Sequence, residues 1–170
     1  MPGSVVFDLS YSDETVILVS SPYAEYNIYA YNASDGKFLW KKESNYRLDV
    51  NTWDHGGHMQ HPVIVDGVVY QDPHDFNLRT GEKGSMVITR DGHGCGSLSG
   101  TPGYLFGRGG NPMMYVIGEN GKSKNLTKVS RPGCWINIIP AGGLVLVPEA
   151  SSGCSCNDPV QTSFAFVSSN

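Results

Sequence analysis

Hydrophobic and polar positions alternate over short stretches of this 170-residue chain, and Gly, Pro, Asn or Asp bounds most of them. Few windows keep the i, i+3, i+4, i+7 apolar spacing of an amphipathic helix for more than two turns. Short alternating or apolar runs between turn residues are typical of β-strands, so the pattern predicts an all-β chain with almost no helix. Thirteen strands are predicted, at residues 5–9, 15–20, 26–31, 38–42, 62–65, 68–71, 75–78, 86–89, 104–107, 114–117, 135–140, 144–148 and 163–167.

One motif recurs along the chain: a strand, a turn that ends in Gly, and a second strand. It occurs at residues 28–42 (IYAYNASDGKFLWKK), at 75–84 (DFNLRTGEKG) and, in degraded form, at 114–123 (MYVIGENGKS). The turn glycines Gly36, Gly81 and Gly121 are 45 and 40 residues apart, and a predicted hairpin precedes each copy. Four strands in about 40–45 residues are typical of a propeller blade. The repeat therefore predicts β-propeller blades of four antiparallel strands, WD40-like in period, with about four blades in this chain.

The predicted domain organisation is a single β-propeller domain over residues 1–170, with blades near 5–42, 43–89, 90–130 and 131–170. A blade covers its faces against its neighbours, so an open arc of four would expose two apolar faces. A small closed ring, two chains that complete a larger ring, or a fragment of a longer protein would each resolve this. We favour self-association or a fragment, so that the chain is half of a larger ring.

Residues 16–42 and 61–83 resemble repeats of the PQQ-like (quinoprotein-like) β-propeller superfamily. The C-terminal stretch 131–156 (RPGCWINIIPAGGLVLVPEASSGCSC), with 92–100 (GHGCGSLSG), is similar to the C-terminal part of large secreted propeller proteins of environmental bacteria, planctomycetes among them. The resemblance implies a full propeller of seven or eight blades and a secreted or periplasmic location. Quinoprotein dehydrogenases that bind PQQ share a pair of adjacent cysteines, which this sequence lacks. PQQ is therefore not expected, and no cofactor is predicted.

Charge and hydropathy exclude some partners. The net charge is -4, only 16% of residues are charged, and Lys and Arg are scattered without a basic run, so nucleic acid is not an expected partner. The apolar runs are far shorter than the ~20 residues that span a bilayer, so no membrane span is predicted. The first ten residues do not have the pattern of a signal peptide, which is compatible with a cytosolic protein, a mature chain or an excised domain.

Four histidines are candidate ligands of a divalent transition metal: His55, His58, His61 and His93. Neutral imidazole binds zinc or copper, and the glycines at 56 and 57 would let a loop direct several imidazoles toward one point. The alternative is a Gly-rich loop with exposed or hydrogen-bonded histidines. No HxH or HExxH motif selects between the two.

The four cysteines, Cys95, Cys134, Cys154 and Cys156, are an even number, which in an exported chain predicts two disulfides. A direct bridge from Cys154 to Cys156 would close a very small ring, so a bridge from each of them to Cys95 or Cys134 is expected. The alternatives are a thiolate site for a soft metal and a redox centre.

Two triplets match the N-glycosylation pattern, at Asn32 and Asn125. Tyrosines at positions 23, 26, 29 and 31 make the first blade aromatic and make carbohydrate a candidate partner, although the core is the expected place for Tyr29 and Tyr31. No GxSxG, P-loop or GxGxxG motif is present, so the sequence favours a protein that is not an enzyme.

The functional prediction is a non-catalytic propeller module of an exported protein, which serves binding or assembly and is stabilised by disulfides. Its expected partner is itself or the remainder of a larger propeller. One alternative is a Zn-, Cu- or Mn-dependent enzyme, such as a polysaccharide lyase or an oxidase, with the histidine cluster at the propeller mouth. Another is a glycosylated structural subunit that self-assembles.

Overall fold

The computed structural model describes residues 5–21, 25–45, 61–92, 94–134, 138–149 and 162–168. These residues form β-strands joined by turns and irregular segments, without a helix. In the described part of the chain, nothing helical is long and apolar enough to cross a membrane. The strands are β1 Val5–Ser12, β2 Thr15–Ser21, β3 Glu25–Asn32, β4 Phe38–Asn45, β5 Val63–Val65, β6 Val68–Gln71, β7 His74–Asn77, β8 Ser99–Thr101, β9 Tyr104–Arg108, β10 Pro112–Val116, β11 Ser123–Asn125, β12 Ile139–Ala141, β13 Leu144–Val147 and β14 Phe164–Val167.

The strands form four antiparallel sheets in chain order. Sheet one has the order β1-β2-β3-β4, sheet two β5-β6-β7, sheet three β8-β9-β10-β11 and sheet four β12-β13-β14. An isolated antiparallel bridge between Phe76 and Lys83 lies next to β7, in the place of a fourth strand of sheet two. The all-β prediction and the prediction of blades built from antiparallel strands are confirmed.

The sheets pack face to face in the order one, two, three, four. Three hydrophobic clusters fill the spaces between them, and each cluster takes residues from two consecutive sheets. Ile17 and Ile28 of sheet one pack with Val69 and Phe76 of sheet two. Because side chains alternate across a strand, the neighbours of these residues point to the opposite face. In sheet two that opposite face, with Tyr70, packs against sheet three.

The first strands of neighbouring sheets lie next to one another, β5 beside β8 and β8 beside β12. Two polar contacts join neighbouring sheets at or next to these first strands. The Ser99 hydroxyl donates a hydrogen bond to the Ile138 carbonyl at 2.8 Å, and His61 Nδ1 lies 2.8 Å from the Asp8 carboxylate on β1. Sheets that meet at their first strands and diverge outward are arranged as the blades of a propeller.

The turn glycines have the backbone conformation that the repeat requires. Gly36 and Gly81 have φ of +69° and +68°, a region that favours Gly because it has no Cβ. In both turns the Gly N–H donates to the carbonyl of the Asn four residues earlier, at 2.8 Å. Asp66 and Gly67 also have positive φ, as a tight two-residue hairpin turn needs.

Candidate functional site

The outer face of sheet one, which points away from sheet two, is apolar. Directly paired residues share a face, and the pairs Leu9–Leu18–Tyr29 and Tyr11–Val16–Tyr31 run across the sheet on this side. Leu9 and Tyr11 are each 65% exposed. We define the first end face as the apolar side chains on this side: Leu9, Tyr11, Val16, Leu18, Tyr29, Tyr31 and Phe38.

Aromatic contacts fix the outer part of the first end face. The rings of Tyr31 and Phe38 meet edge to face at 5.8 Å, and the Lys41 ammonium lies 5.5 Å from the centre of the Tyr29 ring. The pKa of Lys41 is raised because its ammonium donates a hydrogen bond to the Glu43 carboxylate. Charge therefore lies at the outer strand of sheet one, and the surface nearer β1 and β2 is apolar.

The outer face of sheet four is also apolar. The pairs Ile139–Leu146–Ala165 and Ala141–Leu144–Val167 lie on the side that points away from sheet three. Val167 is 71% exposed and Ile139 is 39% exposed. We define the last end face as these six side chains, none of which is charged: Ile139, Ala141, Leu144, Leu146, Ala165 and Val167.

Both end faces differ from the exposed side of an ordinary antiparallel sheet, which carries polar residues. Among the described residues, neither face contributes to the three hydrophobic clusters. The four sheets thus form an open stack that has an apolar surface at each end. Apolar surfaces of this kind mark sites of association.

The predicted metal-binding histidines fall mostly outside the described residues. His55, His58 and His93 lie there, so a metal site that uses them stays a prediction. His61 is described, and its Nδ1 faces the Asp8 carboxylate at 2.8 Å. Within the described ranges, no group of three or more His, Cys, Asp or Glu side chains is placed to hold a metal ion.

The structure describes two of the four cysteines that are predicted to form disulfides, Cys95, which is buried, and Cys134, which is half-buried. The Cys134 sulfur accepts a hydrogen bond from the Arg108 guanidinium at 3.2 Å. The predicted partners, Cys154 and Cys156, lie outside the described residues, so the two bridges stay a prediction.

The interior near these cysteines holds buried arginines. Arg108 and Arg131 are 0% and 1% exposed, so neither presents a surface for an anion. Arg90 is also buried, and its Nε donates to the Asp72 carboxylate at 2.6 Å. Its Nη1 donates to the Arg108 carbonyl at 3.1 Å, so Arg90 joins the end of sheet two to sheet three.

The two glycosylation candidates have different surroundings. Asn32 is the last residue of β3, next to the exposed turn at 33–36, and its amide oxygen accepts hydrogen bonds from the Ser34 N–H at 2.9 Å and the Ser34 hydroxyl at 2.8 Å. Asn125 lies on β11, and its amide oxygen is buried. Both side chains are half-buried, but the residues that follow Asn32 in the turn, 33–36, are exposed, whereas Asn125 is paired with Met113 in sheet three.

A cleft of about 580 Å³ lies between sheets three and four. Tyr104, Phe106 and Met114 line one side, Val145 and Phe166 line the other, and Lys124 is the charged residue of the lining. The Tyr104 and Phe106 rings lie 6.5 Å apart, and Tyr104 is 43% exposed. The lining combines apolar side chains with polar groups and also includes Leu144 and Val167 of the last end face. Ligand sites commonly combine the two kinds of group.

No family model matches the chain, and no curated protein matches it in sequence. Solved structures do match. The chain superposes on the computationally designed Ika4 protein over 96% of its own length and 91% of that chain, with TM-score 0.61 and 11% identity. It matches the computationally designed Ika8 protein over 95% of its length and 45% of that chain, with TM-score 0.56 and 11% identity.

A third match is BamB from Moraxella catarrhalis, a β-propeller, over 82% of this chain and 39% of that one, with TM-score 0.52 and 11% identity. The chain has a propeller-like fold. It spans less than half the length of two of these three structures. At this low identity the likeness concerns the fold alone.

The repeat pattern predicts two apolar end faces without identifying their residues. A signal was present in the runs VILV at 16–19 and LVLV at 144–147. A continuous apolar run indicates a strand that is covered on both faces, whereas an alternating run indicates one that is covered on one face. The end sheets therefore carry the hydrophobic pattern of interior blades.

Proposed function

We propose that this chain is a non-catalytic propeller module of an exported protein, and that it acts as an assembly scaffold through its two end faces. One observation carries the proposal: sheets one and four each have a second apolar face of the kind that packs between sheets inside the chain. The blade repeats, which resemble PQQ-like repeats, support placing the module within a larger propeller.

The physical drive for association is the exposed apolar area. Full burial of a Leu, Phe or Val side chain contributes about 1.5–3 kcal/mol. Leu9 is 65%, Phe38 57% and Val167 71% exposed, so most of that free energy is available to a partner that covers them. The last end face has no charged side chain, and on the first end face Lys41 and Glu43 lie at the outer strand, so burial near β1 and β2 carries little electrostatic cost.

Light scattering coupled to size-exclusion chromatography tests the proposal. We expect the wild-type protein to form particles larger than one 18.4 kDa chain as its concentration rises. Leu9→Arg and Val167→Arg should each shift the particle toward the single chain, because Arg places a charge in an apolar contact. Val129→Arg is the matched control, since Val129 is 60% exposed and lies outside both end faces. A wild-type chain that stays monomeric at every concentration contradicts the proposal.

The disulfide part of the proposal rests on the even cysteine count. In the oxidised protein, bridges from Cys154 and Cys156 to Cys95 and Cys134 would staple the C-terminal part of the chain. Intact mass before and after reduction and alkylation checks this. Two bridges predict four alkylated thiols only after reduction, and four thiols that react without reduction would exclude them.

A second candidate function is carbohydrate binding in the cleft between sheets three and four. The observation that favours it is the exposed ring of Tyr104 beside Phe106, since an aromatic ring is a flat surface on which a sugar can stack. Calorimetric titration with a panel of neutral oligosaccharides tests it. Tyr104→Ala should abolish the heat of binding and Tyr11→Ala should retain it, and a panel without any binder would reject this function.

A further inference from the structure

The three interfaces between sheets inside the chain all have the same orientation. Each sheet has a backward face, which meets the preceding sheet, and a forward face, which meets the next one. In sheet two, Val69 and Phe76 belong to the backward face and Tyr70 to the forward face. In sheet three, Leu105 is on the backward face and Phe106 on the forward face. Every internal contact thus joins a forward face to a backward face.

The end faces continue this series. The last end face is the forward face of sheet four, and the first end face is the backward face of sheet one. Each end face is therefore the kind of face that the other end face would pack against, since a forward face packs against a backward face. Within one chain the two faces do not cover each other, because Leu9, Tyr11 and Val167 are 65%, 65% and 71% exposed.

We propose that the partner is a second copy of this chain, joined head to tail so that two copies close one ring of eight sheets. The proposal rests on the assembly function above and names its partner. Sheet four of each copy packs against sheet one of the other. A heterologous contact of this kind either closes into a ring or continues into a filament, according to the rotation between successive sheets.

The size of the similar structures favours a ring of two copies. The stack follows the designed Ika8 protein over 95% of its own length while it accounts for 45% of that structure. It follows BamB over 82% of its length and accounts for 39% of that structure. Because the stack corresponds to somewhat less than half of each of these two structures, a second copy is the simplest source of the remaining sheets.

A two-copy ring also covers the most apolar surface. A symmetric contact between two identical last end faces would leave both first end faces, with Leu9 and Tyr11, in water. The head-to-tail ring covers all four end faces with two equivalent contacts. Because each copy contributes to both contacts, one substitution on an end face damages both contacts of a homodimer.

Sedimentation equilibrium tests the ring. We expect the wild-type mass to approach twice the 18.4 kDa chain mass and to stay there as concentration rises. Leu9→Arg and Val167→Arg should each raise the dimer dissociation constant by about 100-fold or more, since a charge at the centre of an apolar contact abolishes it. Tyr11→Arg repeats the first test at a second exposed position, and Val129→Arg should leave the dissociation constant unchanged. Circular dichroism confirms that each variant is folded.

Mixing the two variants separates head-to-tail from symmetric association. In a mixed pair of Leu9→Arg and Val167→Arg chains, one contact joins two unmodified faces and the other joins two modified ones. We expect the mixed dimer to be tighter than either variant homodimer and weaker than the wild type. A response to only one of the two substitutions would overturn head-to-tail pairing.

Two other results of the mass measurement distinguish a closed two-copy ring from association in general. Masses that grow beyond two copies with concentration would overturn the closed ring and leave association through the end faces intact. A monomer at every concentration would overturn both.

Discussion

Gly36 and Gly81 occupy equivalent positions in two repeats, and the structure predicts different costs for replacing them with Ala. Both have positive φ, +69° and +68°. A Cβ on Gly36 would meet nothing within 4 Å, whereas on Gly81 it would lie 2.6 Å from Cδ2 of Trp40. The indole cannot easily move, because it is 6% exposed and its Nε1 donates to the Leu78 carbonyl at 3.0 Å. Trp40 of sheet one is thus packed directly on the turn of sheet two.

Two contributions set the expected costs: the left-handed backbone conformation at both glycines and the contact with Trp40 at Gly81 alone. Left-handed backbone costs an Ala residue about 1–2 kcal/mol, which is the whole expected effect of Gly36→Ala. Overpacking adds about 1–3 kcal/mol, so Gly81→Ala should cost about 2–5 kcal/mol. Urea unfolding followed by circular dichroism measures both. With a slope of about 2 kcal/mol per molar urea, the two midpoints should differ by about 0.5–1.5 M.

A third variant isolates the clash. With Trp40→Leu in the background, which removes the ring, Gly81→Ala should cost only the backbone term of about 1–2 kcal/mol. Equal costs for Gly36→Ala and Gly81→Ala in the wild-type background would refute the packing of sheet one on sheet two at this turn. An unchanged cost of Gly81→Ala in the Trp40→Leu background would refute it as well.

Three further predictions concern the interior and the surface. Asp72→Ala should lower the free energy of unfolding by about 3–5 kcal/mol in urea melts. The reason is that the buried Arg90 guanidinium loses the carboxylate that it contacts at 2.6 Å. A loss below about 1 kcal/mol would count against a buried ion pair. Burial raises the pKa of Tyr115 above its usual 10.0, so the unfolded state ionises first and stability should fall as the pH rises above about 10. Tyr115→Phe should flatten that dependence, and an unchanged slope would rule Tyr115 out as its source. In a host that glycosylates, peptide mass spectrometry should find more glycan on Asn32, which adjoins the exposed turn 33–36, than on Asn125, which is paired within sheet three; the opposite occupancy would contradict this difference.

The parts of the fold that follow from the sequence are those set by local chemistry. Gly36, Gly81 and Gly121 all have positive φ in the structure, as expected for turn glycines. The Asp66-Gly67 hairpin also forms between β5 and β6. Residues of this kind determine backbone conformation without help from distant contacts, so a single sequence reveals them.

Other elements depend on distant contacts and could not be predicted in this way. The Gly-containing strand β8 and the polar strand β11 were missed, because pairing with neighbouring strands places them in sheet three despite weak strand propensity. The predicted strand at 86–89 was wrong. Ile88 is buried there, but its N–H donates to the Pro73 carbonyl at 2.9 Å outside any strand ladder.

The residues of the two end faces also depend on distant contacts. The motif of four strands per period led to the expectation of two exposed apolar faces, but alternation alone could not say which side of β2 or β13 is the exposed one. That depends on which neighbouring sheet takes the other side, as with Ile17 against sheet two and Val147 against sheet three. Tertiary packing therefore decides which residues form the end faces.

An experimental structure of the particle in solution, by electron cryomicroscopy or crystallography, tests the central claim most directly. The account predicts eight sheets around one axis, with Val167 of each copy buried against the face of the other copy that carries Leu9 and Tyr11. A single chain closed into a four-sheet ring, with Val167 packed against Leu9 of the same copy, would contradict it.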